Sequence, residues 1–141
     1  MSTRSVGAPI PRNEDARLLT GRAMFVDDVQ LPGMLHAAVL RSPYAHARLG
    51  AIDASAALAR EGVVAVYAAD DLGDAWQAGP LCVPPPPIDG LMFHARTQGP
   101  LARDKVRYVG EPVAIVIAES RYVAEDALAD IAVDYDPLPV A

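Results

Sequence analysis

The stretch V-A-I-V-I-A-E-S-R-Y-V-A-E-D-A-L-A-D-I-A-V-D-Y, residues 113–135, decides how this chain folds. Val113 to Ala118 are all apolar and mostly β-branched, the composition of a buried strand. Ser120 follows where a hydroxyl can accept the free N–H groups of a new helix. Val123, Ala124, Ala127, Leu128 and Ile131 then recur with the 3.6-residue period, which predicts a helix from Arg121 to about Asp130 with one apolar face. Ile131 to Tyr135 reads as a returning strand, closed by Pro137 and Pro139.

A second strand–helix–strand unit lies upstream. Ala47 to Ile52 is a strand candidate, Asp53 or Ser55 can cap a helix running to about Arg60, Gly62 ends it, and Val63 to Ala68 is the next strand. Both units finish on an acidic turn with a leucine, Asp70-Asp71-Leu72 and Asp136-Pro137-Leu138, so an internal repeat is one reading of the pair. Before them, Met34 to Leu40 is an apolar run of strand length. Its alternate sets, Leu35, Ala37 and Val39 against His36, Ala38 and Leu40, are both apolar enough to predict burial on both faces. Val106 to Val109 is a further strand leading into the Gly110-Glu111-Pro112 turn.

Strands outnumber helices and the helices are short. The predicted fold class is therefore α+β: a mixed β-sheet with short helices on one side, rather than a doubly wound sheet. Residues 1–33 read as an N-terminal arm, with one helical turn within Arg12 to Leu19 stopped by Gly21, and residues 34–141 as the domain. At about residues 73–104 the periodic signal fades. Pro84 to Pro87, Asp89-Gly90 and Gly99-Pro100 mark an excursion that no helix or central strand can absorb.

Composition bounds the function. The 141 residues are 52% hydrophobic and 21% charged, enough for a core that buries about two thirds of the unfolded surface. Residues 1–60 hold seven Arg against five acids, and residues 61–141 five basic residues against thirteen acids, within a net charge of −6. An acidic half of this kind argues against a nucleic-acid or anionic-membrane surface, and no apolar run reaches the roughly 20 residues of a membrane span. The polar, Pro-containing start gives no sign of a secretory signal, so the expected location is the cytoplasm. A lone Cys82 excludes a disulfide framework or a thiolate metal site built from this chain alone.

Candidate chemistry is sparse. There is no G-x-G-x-x-G, Walker A or G-x-S-x-G pattern. His36, His46 and His94 are too scattered for a helix-borne metal site: His36 fits a packed strand residue, His46 a hydrogen bond to backbone, and His94 has no assigned role. Asp27-Asp28 and Asp70-Asp71 are carboxylate pairs on turns, where capping competes with acid–base chemistry. Arg41, before Ser42-Pro43, suits either an anion grip or a structural ion pair at a strand end. Cys82 has no local basic residue to lower its pKa. The residues give no self-contained active site: no catalytic, cofactor-binding or metal residue is assigned.

Three ordered stretches carry a family resemblance. Arg12 to Leu49, with G-R-A-M-F-V-D-D and R-S-P-Y-A-H-A-R, Asp53 to Leu72, and Lys105 to Val140, with V-G-E-P-V-A, resemble the N-terminal α/β-hammerhead domain of molybdenum hydroxylase large subunits. These are the xanthine dehydrogenase, aldehyde oxidase and aerobic carbon monoxide dehydrogenase family, and the match leans toward its carbon monoxide dehydrogenase-like branch. The resemblance implies part of an enzyme that hydroxylates a small aldehyde, N-heterocycle or related substrate with water. It also implies a molybdopterin-type molybdenum cofactor on later large-subunit domains, and 2Fe-2S clusters and FAD on other domains or subunits. The G-G-x-F-G motif and the late Glu base of the family have no counterpart in this sequence. The chain is thus expected to act as a structural and assembly part, a split subunit or fragment, inactive alone. Its partners would be the molybdopterin-binding portion together with Fe–S and FAD subunits. A stand-alone protein-binding module and a non-functional gene fragment are the alternatives.

Overall fold

The computed structural model describes residues 7, 9, 11–79, 88–90 and 98–140. The chain divides into two compact units, Met1–Met34 and Leu35–Ala141. In the first, α1 (Asp15–Leu19) is a single short helix, and a 3-10 turn follows at Val26–Asp28. The Asp28 carboxylate opens that turn by accepting the Phe25 N–H at 2.9 Å.

Among its described residues, the second unit holds six strands and two short helices: β1 (His36–Arg41), β2 (Ala47–Asp53), α2 (Ser55–Leu58), β3 (Val63–Ala68), β4 (Lys105–Val106), β5 (Pro112–Ala118), α3 (Arg121–Ala127) and β6 (Ala132–Pro137). The α+β class and both strand–helix–strand units are present. The strands divide between two antiparallel three-stranded sheets, β1-β5-β3 and β4-β2-β6. A parallel crossover within one sheet needs about a dozen residues or more, and only residues 54–62 separate β2 from β3, so this short link hands the chain to the other sheet. The link through α3 likewise carries the chain from β5 in one sheet to β6 in the other.

This arrangement has a two-fold logic. The first half supplies β1, β2 and β3, and the second supplies β4, β5 and β6. β2 lies at the centre of one sheet between β4 and β6, and β5 at the centre of the other between β1 and β3. All of these pairings join one half to the other. The two similar sequence units thus occupy equivalent places in an interlocked fold.

The core is built from small residues. Ala38, Val116 and Ala118 of the first sheet pack against Ala124 and Ala127 of α3, Ala57 of α2, and Ile131. Ala47, Val106 and Val113 form a second cluster with Ala102. Ile52 and Val133 pack against both clusters and so connect them. Alanine on both sides lets helix and sheet approach closely, which suits helices too short to be stable on their own.

Capping follows the expected residues. The Ser120 hydroxyl accepts the Val123 N–H at 3.2 Å, and α3 runs into a 3-10 turn at Leu128–Asp130. Asp53, rather than Ser55, steadies the start of α2: its carboxylate accepts the Ser55 N–H at 2.9 Å. The Ser55 hydroxyl and backbone N–H hold the Asp53 carboxyl below its ordinary pKa. That contribution is present above the unfolded carboxyl's pKa and is lost as pH falls through the folded value. α2 stops at Leu58, short of Arg60, and Gly62 turns the chain at φ +86°. Gly50 marks an irregularity in the β2–β6 register, where a Cβ would come within 3.0 Å of Asp134 Cβ.

Two expectations are corrected. β1 is buried on one side only: Ala38 is buried, while Leu35 is 46% exposed and Ala37 is exposed. The strand expected over Val106 to Val109 is limited to Lys105–Val106, because the chain turns at Gly110 with φ +90°. The Pro84 to Pro87 run lies outside the described residues.

Candidate functional site

Two of the most distinctive sequence motifs, far apart in the chain, meet at one end of the β1–β5 pair. The Ser42 N–H donates to the Glu111 carbonyl at 2.9 Å, and the Gly110 N–H donates back to the Ser42 carbonyl at 2.8 Å. The Arg41 guanidinium donates to the Gly110 carbonyl at 2.9 Å. R-S-P-Y and V-G-E-P are therefore two sides of a single junction. Arg41 serves there as a backbone clamp.

Buried polar groups complete the junction. Ser42 is 2% exposed, and its hydroxyl accepts the Tyr44 N–H at 3.0 Å. Glu111 is 5% exposed, and its carboxylate accepts the Arg107 N–H while facing the Arg107 guanidinium at 3.6 Å. The Tyr44 and Tyr135 rings lie 4.9 Å apart, tying β6 to the same corner. Burial pushes the Tyr135 phenol above its ordinary pKa, with the neighbouring Tyr44 adding to the rise and a hydrogen bond with Ser42 opposing it.

Trp76 stands beside this corner in a cleft of about 210 Å³ shared with Gly99, Arg103, Arg107 and Glu111. Its indole N–H donates to the Leu101 carbonyl at 2.8 Å, and the Arg103 guanidinium lies 4.4 Å from the ring centroid. Gly99 is required there, since a Cβ would overlap the indole. The Gly79 N–H donates to the Gln98 carbonyl at 2.9 Å, and Gln98 hydrogen-bonds to the Tyr108 hydroxyl. The excursion thus begins and ends against the junction.

Other weighed residues take structural places. His46 Nδ1 lies 2.8 Å from the Pro139 carbonyl, and the His46 carbonyl accepts the Leu138 N–H at 2.9 Å, fastening the end of β6 to β2. His36 is half-buried at the start of β1, opposite Ala118. Asp71 accepts the Ala68 N–H at 2.7 Å, and Asp70 faces Arg103 at 3.3 Å. His94 and Cys82 lie outside the described residues. Among the described residues, no group of three His, Cys, Asp or Glu side chains is placed to hold a metal ion.

The sequence reading missed Glu111 and Trp76 as site residues. In the sequence Glu111 stands in a turn and in the V-G-E-P-V-A stretch, with no periodic signal for its burial. Trp76 sits where the periodic signal fades, and the signal available was its being the single Trp of the chain.

One prediction follows from the buried carboxylate. Glu111→Ala removes the charged acceptor of the part-buried bond from the Arg107 N–H, and a hydrogen bond to a charged group is worth about 1.5–3 kcal/mol. A thermal melt should show a loss in that range, with Glu111→Gln recovering part of it by keeping an acceptor oxygen. An unchanged melt for Glu111→Ala would contradict the assigned role.

The fold recurs in known proteins. Residues 20–139 match the family model described as the aldehyde oxidase and xanthine dehydrogenase a/b hammerhead domain. The nicotine 6-hydroxylase large subunit of Paenarthrobacter nicotinovorans is 45% identical over 143 residues, covering 98% of this chain and 16% of that subunit. The crystal structure of quinoline 2-oxidoreductase from Pseudomonas putida 86 superposes with a TM-score of 0.81 at 42% identity, covering 99% of this chain and 17% of that one. A carbon monoxide-reduced Cu,Mo-CO dehydrogenase structure gives a TM-score of 0.77 at 41% identity, covering 95% of this chain and 16% of that chain. The chain thus spans about one-sixth of the length of these relatives. With 120 residues matched by the family model, over both sheets and the junction, this chain belongs to the a/b hammerhead domain family of the molybdenum hydroxylases.

Proposed function

We propose that this chain serves as the hammerhead part of a molybdopterin-dependent hydroxylase. The enzyme would oxidise a small aldehyde, N-heterocycle or related substrate with water as the oxygen source. The observation carrying this reading is the family match over residues 20–139, combined with a junction whose polar groups are engaged with one another. The chain's role is structural: it presents a braced domain to the polypeptide that binds the cofactor.

The described residues do not fit the molybdenum cofactor or its redox partners. A cleft of about 300 Å³ is lined by Asp70, Asp71 and Arg103; Arg103 faces Asp70 at 3.3 Å, and the two carboxylates outnumber it against the phosphate of a molybdopterin. In the other cleft, Arg103 is engaged with Trp76 and Asp70, and Arg107 with Glu111. A 2Fe-2S cluster takes four thiolates, or two thiolates and two imidazoles, and this chain has one Cys. The molybdopterin-type cofactor therefore belongs to the remaining large-subunit polypeptide, and the 2Fe-2S clusters and FAD to further domains or subunits. These are the proposed partners.

The reading is tested with the assembled protein purified from its native host. Aldehydes and N-heterocycles are supplied in ¹⁸O-labelled water with an electron acceptor. The label is expected in the hydroxylated product. Turnover with oxygen taken only from O₂, or no oxidation of any member of these classes, would contradict it.

A further inference from the structure

The helices α2 and α3 cover one face of the β1-β5-β3 sheet, and the opposite face has a different character. The register sets Ala37, Ile117 and Ala65 in one row and Val39, Ile115 and Tyr67 in the next. Leu35 precedes the first row at 46% exposure, and Tyr67 is 42% exposed. Ala37 is exposed, and Val39, Ala65, Ile115 and Ile117 are half-buried. No acid interrupts these rows in a chain of net charge −6. A contiguous apolar face on a charged protein marks an interaction surface.

We propose that this open face of the β1-β5-β3 sheet is where the rest of a molybdenum hydroxylase large subunit seats on the hammerhead fold. The inference rests on the reading under Proposed function. The length of chain outside this fold favours that occupant: quinoline 2-oxidoreductase matches this fold with 17% of its chain, so most of that polypeptide lies outside it. Charge disfavours a second copy, since two chains of −6 would repel as they approached. The partner surface should itself be apolar, because the two rows offer it no charge to pair with.

The test places Tyr67→Glu and Ala37→Glu on the face, with Tyr122→Glu as the control. Tyr122 is 80% exposed on α3, on the far side of the sheet from these rows. Each substitution is made at the native locus, and molybdenum co-eluting with this sequence is measured after gel filtration. The isolated 141-residue chain carrying the same change is melted in parallel. Both face variants should melt cooperatively within a few degrees of wild type, yet lose about tenfold or more of the associated molybdenum, a change of about 1.4 kcal/mol or more. The control should keep its molybdenum. Ala37→Glu, on an exposed edge-strand position, keeps the test decisive if Tyr67→Glu fails to fold. Face variants that retain molybdenum overturn the assignment of the face and leave the functional reading intact. Wild-type sequence that elutes without molybdenum overturns that reading instead, and the occupant with it. A molybdenum-free dimer split by Tyr67→Glu would give the face to a second copy, against the proposal.

Discussion

Val116→Asp is expected to abolish the folded, soluble protein. Val116 lies at the middle of β5, paired with Ala38 on one side and Val66 on the other, and is fully buried. It packs in the alanine-rich cluster of α2 and α3, which supplies no basic partner for a carboxylate. An unpaired buried charge costs several kcal/mol or more, about the whole stability of a domain of this size, roughly 5–15 kcal/mol. Val116→Ala keeps the site apolar and should cost only about 1–3 kcal/mol, so it separates the charge from the lost volume. Solubility on expression and the far-UV circular dichroism melt read both effects. A soluble Val116→Asp chain with an unchanged melt would show that the assigned core is wrong.

Separating the two halves should have an effect of the same order. β1, β2 and β3 make no sheet among themselves, and neither do β4, β5 and β6, because every pairing in the two sheets joins the halves. Peptides covering residues 35–79 and 98–140 should therefore each be unfolded, since short helices and unpaired strands are marginal in water. Mixing them should restore β-sheet circular dichroism and a cooperative melt. A half that melts cooperatively alone would contradict the interlocked arrangement.

Much of this fold is legible in the sequence where burial leaves a periodic trace. Residues 113–135 show a strand, a Ser cap and an amphipathic helix, and β5, Ser120 and α3 appear where those signals lie. Periodicity says which residues are buried, but not which strand pairs with which. The division into two sheets was therefore not visible in the apolar runs themselves, although the short link from β2 to β3 limited the choices. The open face of β1 misled for a related reason. Leu35, Ala37 and Val39 are as apolar as core residues, and composition cannot distinguish burial within a domain from burial against a partner. The junction was legible only as two separate motifs. Its buried carboxylate, Glu111, became evident when the turn was seen folded over the Arg107 N–H.

The most direct test of the central claim is metal content. The polypeptide bearing this sequence is purified under native conditions from its host, and molybdenum and iron are measured per copy. Membership in a hammerhead-containing hydroxylase predicts about one molybdenum per copy, held by polypeptide other than residues 7–140, with iron alongside it. A lone chain, free of both metals and without a large partner, would contradict the account.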